Sequence, residues 1–172
     1  MKPKIYLIAA ADEKLGIGKN GKMPWDFKKD LASFQRTTTK TEKLTRENMV
    51  IMGRTTWESL PKEHRPLKGR RNVVLTRDKA FQAEGAYVFH SIDAAIAAID
   101  PDVIESIFIM GGGSVYTEAI KRRDIEGIYL TQIRNQYDCD TFFPKIPNRF
   151  HAVKLGKKEE NDVHLDFMLY KK

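Results

Sequence analysis

Apolar positions run without a break over residues 5–11, then stop at Asp12-Glu13-Lys14 and a glycine-rich stretch, residues 15–24. A run of that length with no polar alternation predicts a strand buried on both faces. The period then changes. Phe27, Asp30, Leu31 and Phe34 recur at i, i+3, i+4 and i+7, one face of a helix at about 100° per residue. That face of a helix over residues 27–38 is expected to point inward, leaving Lys28, Lys29, Ala32 and Gln35 on its other sides. Residues 39–48 read as a polar connection and 49–52 as an apolar strand. Gly53-Arg54-Thr55-Thr56 then turns that strand into a short helix over 57–60. Residues 61–71 form a loop rich in Pro and basic residues. Strands follow at 72–76 and 87–89, a helix at 92–99 with Ser91 as its cap, a strand at 106–110, a helix at 114–121 and a strand at 128–133. Alternation at Val163, Leu165, Phe167 and Leu169 predicts a hairpin over 150–170, turning around residues 156–162. Strands alternating with helices imply an α/β fold, a mostly parallel sheet flanked by helices, with the antiparallel hairpin at its edge.

Asp30 breaks this pattern. A carboxylate on an inward helix face is costly unless it is paired or used. Composition narrows the uses. The 172 residues fit a single domain, residues 1–172. No apolar run approaches the roughly 20 residues that span a bilayer, so no membrane partner is expected. The N-terminal apolar stretch is short and leads straight into charge, so a cytoplasmic location is expected rather than a signal peptide. A lone Cys139 excludes an internal disulfide, and His64, His90, His151 and His164 lack ligand spacing, so no metal is expected. The net charge of +7 admits nucleic acid or a small anionic ligand. Basic residues are spread along the chain, concentrated only over 54–77, with no interleaved aromatic patch. That favours a local anionic ligand, and no nucleic-acid partner is expected.

Two glycine runs compete for that ligand. Gly16-Ile17-Gly18-Lys19-Asn20-Gly21 matches a dinucleotide-binding fingerprint and nearly matches a P-loop. Either motif needs a helix to start at its last glycines. Here Lys22-Met23-Pro24-Trp25 follows, and Pro24 keeps Met23 extended. A glycine-hinged lid beside a ligand is the better reading. The second run, Gly111-Gly112-Gly113, stands between a strand and a helix, where open α/β sheets bind ligands. Its alternative is a tight turn with no ligand. Met52-Gly53-Arg54-Thr55-Thr56 and Leu75-Thr76-Arg77 place cations and hydroxyls at two further strand ends. Together the three point to an anionic nucleotide such as NADP(H), whose extra phosphate selects Arg.

The ordered blocks resemble the dihydrofolate reductase family. They are Ile8-Ala9-Ala10, Ile17-Gly18-Lys19-Asn20-Gly21, Met23-Pro24-Trp25, Asp30-Leu31 with Phe34, the run from Val50 through Gly53-Arg54-Thr55-Thr56 to Ser59, Arg65-Pro66-Leu67-Lys68-Gly69-Arg70, Ile109-Met110 through Val115-Tyr116, Tyr129-Leu130-Thr131 and Asp140-Thr141-Phe142-Phe143-Pro144. The resemblance covers nearly the whole chain. It implies an eight-stranded sheet with an adenosine-binding lobe over about residues 49–105. It also implies reduction of 7,8-dihydrofolate to tetrahydrofolate by hydride from NADPH, a role in one-carbon metabolism, antifolate inhibitors as ligands and a monomeric state.

The resemblance also answers the question of Asp30. The family acid at that position hydrogen-bonds the pterin, with Thr131, Trp25 and a water completing the network and Met23 on the lid above. Ile8, Ala10, Leu31, Phe34 and Met110 would form the pterin pocket. Leu67 would pack on the aminobenzoyl ring, Arg70 would pair the glutamate carboxylate, and Tyr116 would sit by the nicotinamide. Arg54, Thr55 and Thr56 would meet the cofactor diphosphate, and Thr76 and Arg77 the adenosine 2′-phosphate. Gly111, Gly112, Gly113, Ser114 and Val115 would surround the diphosphate, with a cis peptide between positions 111 and 112. Further cofactor contacts fall to Ala10, Ile17, Gly18, Gly53, Leu75, Met110 and Tyr116. Departures from the family pattern are Lys28, where many bacterial members carry Pro, and Thr55, where some carry a base. The pyrimidine reductases of riboflavin synthesis share the fold but should lack Met-Pro-Trp with Asp30 and the RPLKGR segment, both present here.

Overall fold

The computed structural model describes residues Met1–Lys172. Ten strands and four α-helices follow one another: β1 (Lys4–Ala11), β2 (Gly16–Gly18), α1 (Lys28–Thr39), β3 (Glu47–Gly53), α2 (Arg54–Ser59), β4 (Arg70–Leu75), β5 (Tyr87–Phe89), α3 (Ile92–Ala97), β6 (Ile104–Ile109), α4 (Gly113–Ala119), β7 (Ile125–Ile133), β8 (Thr141–Phe142), β9 (His151–Glu160) and β10 (Val163–Lys171). Eight strands form one sheet in the order β5-β4-β3-β6-β1-β7-β10-β9. The first six run parallel, and β10 and β9 add an antiparallel edge.

The unbroken apolar runs resolve into two faces because side chains alternate along a strand. Ile5, Leu7, Met49, Ile51, Ile107 and Ile109 join one core with Ile92 and Ala95 of α3 and Tyr116 and Ala119 of α4. Ile8, Val50, Met52 and Phe108 join another with Trp57 of α2, and Phe34 of α1 packs against it. Helices on both faces therefore explain why these strands carry no polar alternation. Ser91 caps α3 as its sequence predicts, its hydroxyl accepting from the Ala94 N–H at 3.0 Å.

Four local expectations are corrected. Residues 47–48 belong to β3, and buried Asn48 spends its amide on the Thr38 and Lys40 carbonyls. The α2 helix starts at Arg54, with no separating turn. Glycine-rich residues 16–18 form a short strand paired with β8. The hairpin turns at Asn161-Asp162, whose φ angles of 51° and 61° make a two-residue I′ turn. Gly156 lies inside β9 instead, beside a bulge: it pairs with Phe167 while Lys154 pairs with Met168, leaving Leu155 as the extra residue.

Candidate active site

The carboxyl ends of β1, β3, β4 and β6 open onto one cleft of about 580 Å³. Half of its 34 lining residues are hydrophobic, which suits flat aromatic rings held by a few polar groups.

Asp30 sits at the floor, 9% exposed. Thr131 on β7 donates its hydroxyl to Asp30 Oδ1 at 2.7 Å. Burial pushes the Asp30 carboxyl above the usual carboxylate range; the Thr131 bond opposes this and the charge of Glu160 adds to it. The helix face that carries Asp30 does not simply point inward. Phe27 is buried, but Leu31 is 47% exposed, because its side of the helix faces the open cleft. Ile8, Ala10, Phe34 and Met110 line the cleft with it. Register explains the grouping: Ala10 pairs with Thr131 and Ile8 with Tyr129 across adjacent parallel strands. Trp25 does not line the cleft. It is buried beside Phe27, Ile133 and Leu165, its ring tilted 58° against that of Tyr137 at 5.1 Å, and its indole N–H has no protein partner. A buried donor of this kind needs an acceptor such as a bound water or ligand.

The second arm of the cleft lies over the glycines. The Gly111–Gly112 peptide is cis, and Gly111 has φ +116°. A side chain there would be strained, and its Cβ would lie 3.2 Å from the Tyr116 ring. A Cβ at Gly53 would meet Val115 at 3.2 Å, and one at Gly113 would meet Thr141 at 2.7 Å. The Gly53 N–H donates to the Gly111 carbonyl at 2.8 Å, tying the two turns together. Tyr116 is buried beneath them, donating to the Ile8 carbonyl at 2.6 Å, and burial pushes its phenol well above the ordinary range. Thr55, Thr56, Leu75, Gly112, Ser114 and Val115 complete this arm.

The expected cations are arranged less simply. Arg54 lines the cleft but is already engaged: Nε donates to Glu58 at 2.8 Å, Nη1 to Asp78 at 3.1 Å, and the guanidinium lies over Phe81. Thr76 and Arg77 lie just past the end of β4, outside the cleft lining, with Arg77 exposed. Leu67 and Arg70 also lie outside it. Arg70 donates to the Thr38 hydroxyl at 3.0 Å and to the Lys68 carbonyl at 2.9 Å, beside the Phe34 ring. Burial lowers its pKa.

Residues 16–24 lie across the cleft mouth. Ile17, Gly18, Gly21, Lys22 and Met23 line it, and Met23 is 52% exposed. Asn20 and Gly21, with φ of 51° and 76°, form a tight turn closed by bonds of 2.7 and 3.0 Å between the Lys19 and Lys22 backbones. The Asn20 N–H donates to Asp140 at 3.0 Å, and Lys19 pairs with Asp138 at 3.3 Å. At the base, buried Asp12 accepts from the Gly16, Lys14 and Tyr137 N–H groups at 2.7, 2.9 and 3.0 Å.

Sequence reasoning missed several groups. Lys22 is the one lining cation besides Arg54. Ser33, Thr37, Ser59, Leu60, Tyr129, Thr141, Phe167 and Met168 line the cleft, as does Leu155, which the bulge turns toward it. Asn72 is buried and braces the loop before β4 by bonds to Leu67. Asn-Gly at 20–21 was a readable turn signal; the others carry no local one.

These features match a known family. The family model described as dihydrofolate reductase matches residues 4–172. A dihydrofolate reductase of Heliothis virescens is 43% identical over 98% of this chain and 97% of its own length. One from Drosophila melanogaster is 37% identical over 98% of each. The solved Schistosoma mansoni dihydrofolate reductase superposes with a TM-score of 0.86 at 34% identity, covering 99% of both chains. Sequence, fold and cleft agree, and the chain belongs to the dihydrofolate reductase family.

Proposed function

We propose that this oxidoreductase reduces 7,8-dihydrofolate to 5,6,7,8-tetrahydrofolate with NADPH as the reductant. The observation that carries the reading is the buried Asp30–Thr131 pair at the floor of an apolar cleft, beside a glycine turn too tight for any side chain. A carboxylate there matches the 2-amino group and adjacent ring N–H of a pterin, two donors for two acceptor oxygens. Leu31, Phe34, Ile8 and Met110 hold the flat ring, and Trp25 orients a water with its free N–H. Arg70 has no acidic partner and pairs the glutamate carboxylate of the substrate tail, with Leu67 under the aminobenzoyl ring.

The glycine arm fits a nicotinamide dinucleotide. Gly111, Gly112 and Gly113 let backbone approach a diphosphate, with Gly53, Thr55, Thr56, Ser114 and Val115 around it. Thr76 and exposed Arg77 take the 2′-phosphate. When bound, the reduced nicotinamide supplies hydride to C6 of the pterin. Ala10, Ile17, Gly18, Met110 and Tyr116 fix the two rings against each other, and the lid with Met23 excludes bulk water. Asp30 orients and polarises the pterin; a water delivers the proton to N5. Arg54 is held by two carboxylates, so Lys22 on the lid supplies positive charge to this arm. Lys22→Gln is expected to weaken NADPH binding several-fold at low salt, with the difference fading at high salt. Equal binding at low salt would remove Lys22 from the cofactor site. NADPH consumption on adding dihydrofolate tests the reaction itself.

A further inference from the structure

The start of α1 lacks a cap of its own. Its N-cap position is Phe27, whose side chain makes no capping hydrogen bond. The first N–H groups of a helix have no intrahelical partner. Proline at the first helical position removes one of them, but Lys28 stands there and keeps it. The acceptor comes from a distant part of the chain. The Lys28 N–H donates to Glu160 Oε2 at 2.9 Å, and the Lys29 N–H donates to Glu160 Oε1 at 2.8 Å. Lys29 Nζ donates in turn to the Glu159 carbonyl at 2.6 Å.

We propose that Glu160 caps α1 from the tip of the β9–β10 hairpin and is a positioning residue for Asp30, the next residue along the helix. Asp30 is then held from two sides, by the clamped backbone before it and by the Thr131 hydroxyl on β7. Both holds belong to one ladder. Strands β7, β10 and β9 are consecutive in the sheet, and Phe167 pairs with Thr131 on one side and Gly156 on the other. Glu160 is the last residue of β9, paired with Val163 across the Asn161-Asp162 turn. Strand register therefore sets the distance between the two anchors of the carboxylate. The antiparallel edge gains a function beyond closing the sheet.

The charges around Asp30 give this arrangement a signature. Backbone N–H donation, from Lys29 first, holds Glu160 below the usual carboxylate range, so it is ionised. A negative charge at a helix N-terminus offsets the dipole that would favour an ionised Asp30. The other groups near Asp30 are Thr131 on β7, Tyr116 on α4, engaged with the Ile8 carbonyl, and Lys28, Lys29 and Asp26 at the exposed start of α1. Removing the Glu160 charge lowers the proton affinity of Asp30; removing its acceptor oxygens frees the backbone that places it.

This inference rests on Asp30 being the pterin-binding carboxylate, so Asp30→Asn is measured beside Glu160→Gln, Glu160→Ala and Glu160→Asp. NADPH binding and circular dichroism report folding; equilibrium dihydrofolate binding is followed across pH. Glu160→Ala is expected to weaken dihydrofolate binding about fivefold, the order of one lost cap, with NADPH binding unchanged. The acid-side fall of dihydrofolate binding moves to lower pH in Glu160→Gln and Glu160→Ala, and Glu160→Asp keeps it near wild type. Glu160 variants that lose only thermal stability, beside a strongly impaired Asp30→Asn, would overturn the inference alone. An Asp30→Asn that binds dihydrofolate as wild type does would overturn the reading of the site, and the inference with it. If Glu160→Ala does not fold, Glu160→Gln, which retains one acceptor, decides the matter.

Discussion

Asp30 carries a burial cost that the Thr131 hydroxyl offsets in part and that, in the proposed function, a bound pterin would offset further. Its proton affinity is raised, burial first among the causes, so ionised Asp30 weakens the free enzyme as pH rises through its folded titration. Below the usual carboxylate range both folded and unfolded chains hold the proton and the cost vanishes. Asp30→Asn should therefore raise the melting temperature of the ligand-free enzyme at neutral pH, and the gain should disappear in acid. The same variant should bind dihydrofolate about 100-fold more weakly, the order of its lost charge-assisted hydrogen bonds. A variant less stable than wild type at neutral pH would contradict this. Gly111→Ala is the matching test of the cofactor arm. A Cβ at φ +116°, 3.2 Å from the Tyr116 ring, displaces the turn, so calorimetry should find NADPH binding lost or greatly weakened. Asp30 was legible because a charge on an apolar helix face stands out locally. Asp12, Asn72 and Glu160 were not. Each is an ordinary polar residue until the fold brings it to N–H groups or carbonyls, for Asp12 and Tyr137 across 125 positions.

The lid is the element whose behaviour is most open to test. Its tip is a tight Asn-Gly turn, and its base hangs on one buried carboxylate, Asp12, with three backbone donors. Asp12→Ala leaves those donors without their acceptor, which costs about 1–3 kcal/mol. Thermal denaturation should show that loss, and limited proteolysis should cut first within residues 16–24. A variant as stable and as resistant as wild type would show that Asp12 does not brace the lid. Helices and long strands were legible here from periodicity and run length. Strands β2 and β8 were not, because two or three residues carry no period. The hairpin turn was bracketed too broadly, over residues 156–162, for a different reason. Gly156 signals a turn, but the ladder absorbs it next to a bulge, and Asn161-Asp162 adopts the positive φ angles instead.

Across the whole molecule the parallel strands build the cleft and the antiparallel edge braces its floor. That edge is pinned by Asp166 on β10, 2.8 Å from Arg134 and 3.0 Å from Lys154 on β9. Burial alone would raise the Asp166 carboxyl; the two cations outweigh it and hold it below the usual range. The sign is opposite to that of Asp30. The contribution is complete above the ordinary carboxylate range and is lost as pH falls through the lowered value. Asp166→Asn should narrow the stability gap between neutral and acid pH, measured by urea denaturation. A gap unchanged from wild type would contradict that assignment. The family architecture was legible because the ordered blocks span the chain. The brace was not, because it depends on register between strands.

In the proposed function, a buried carboxylate turns this cleft into a pterin reductase site. The most direct test mixes the enzyme with NADPH and dihydrofolate and follows NADPH absorbance, with Asp30→Asn in parallel. Rapid NADPH loss is expected with the wild type, and a large drop in kcat/KM with the variant. Equal loss with both would contradict the role of Asp30, and no loss with a folded, NADPH-binding wild type would contradict the reaction.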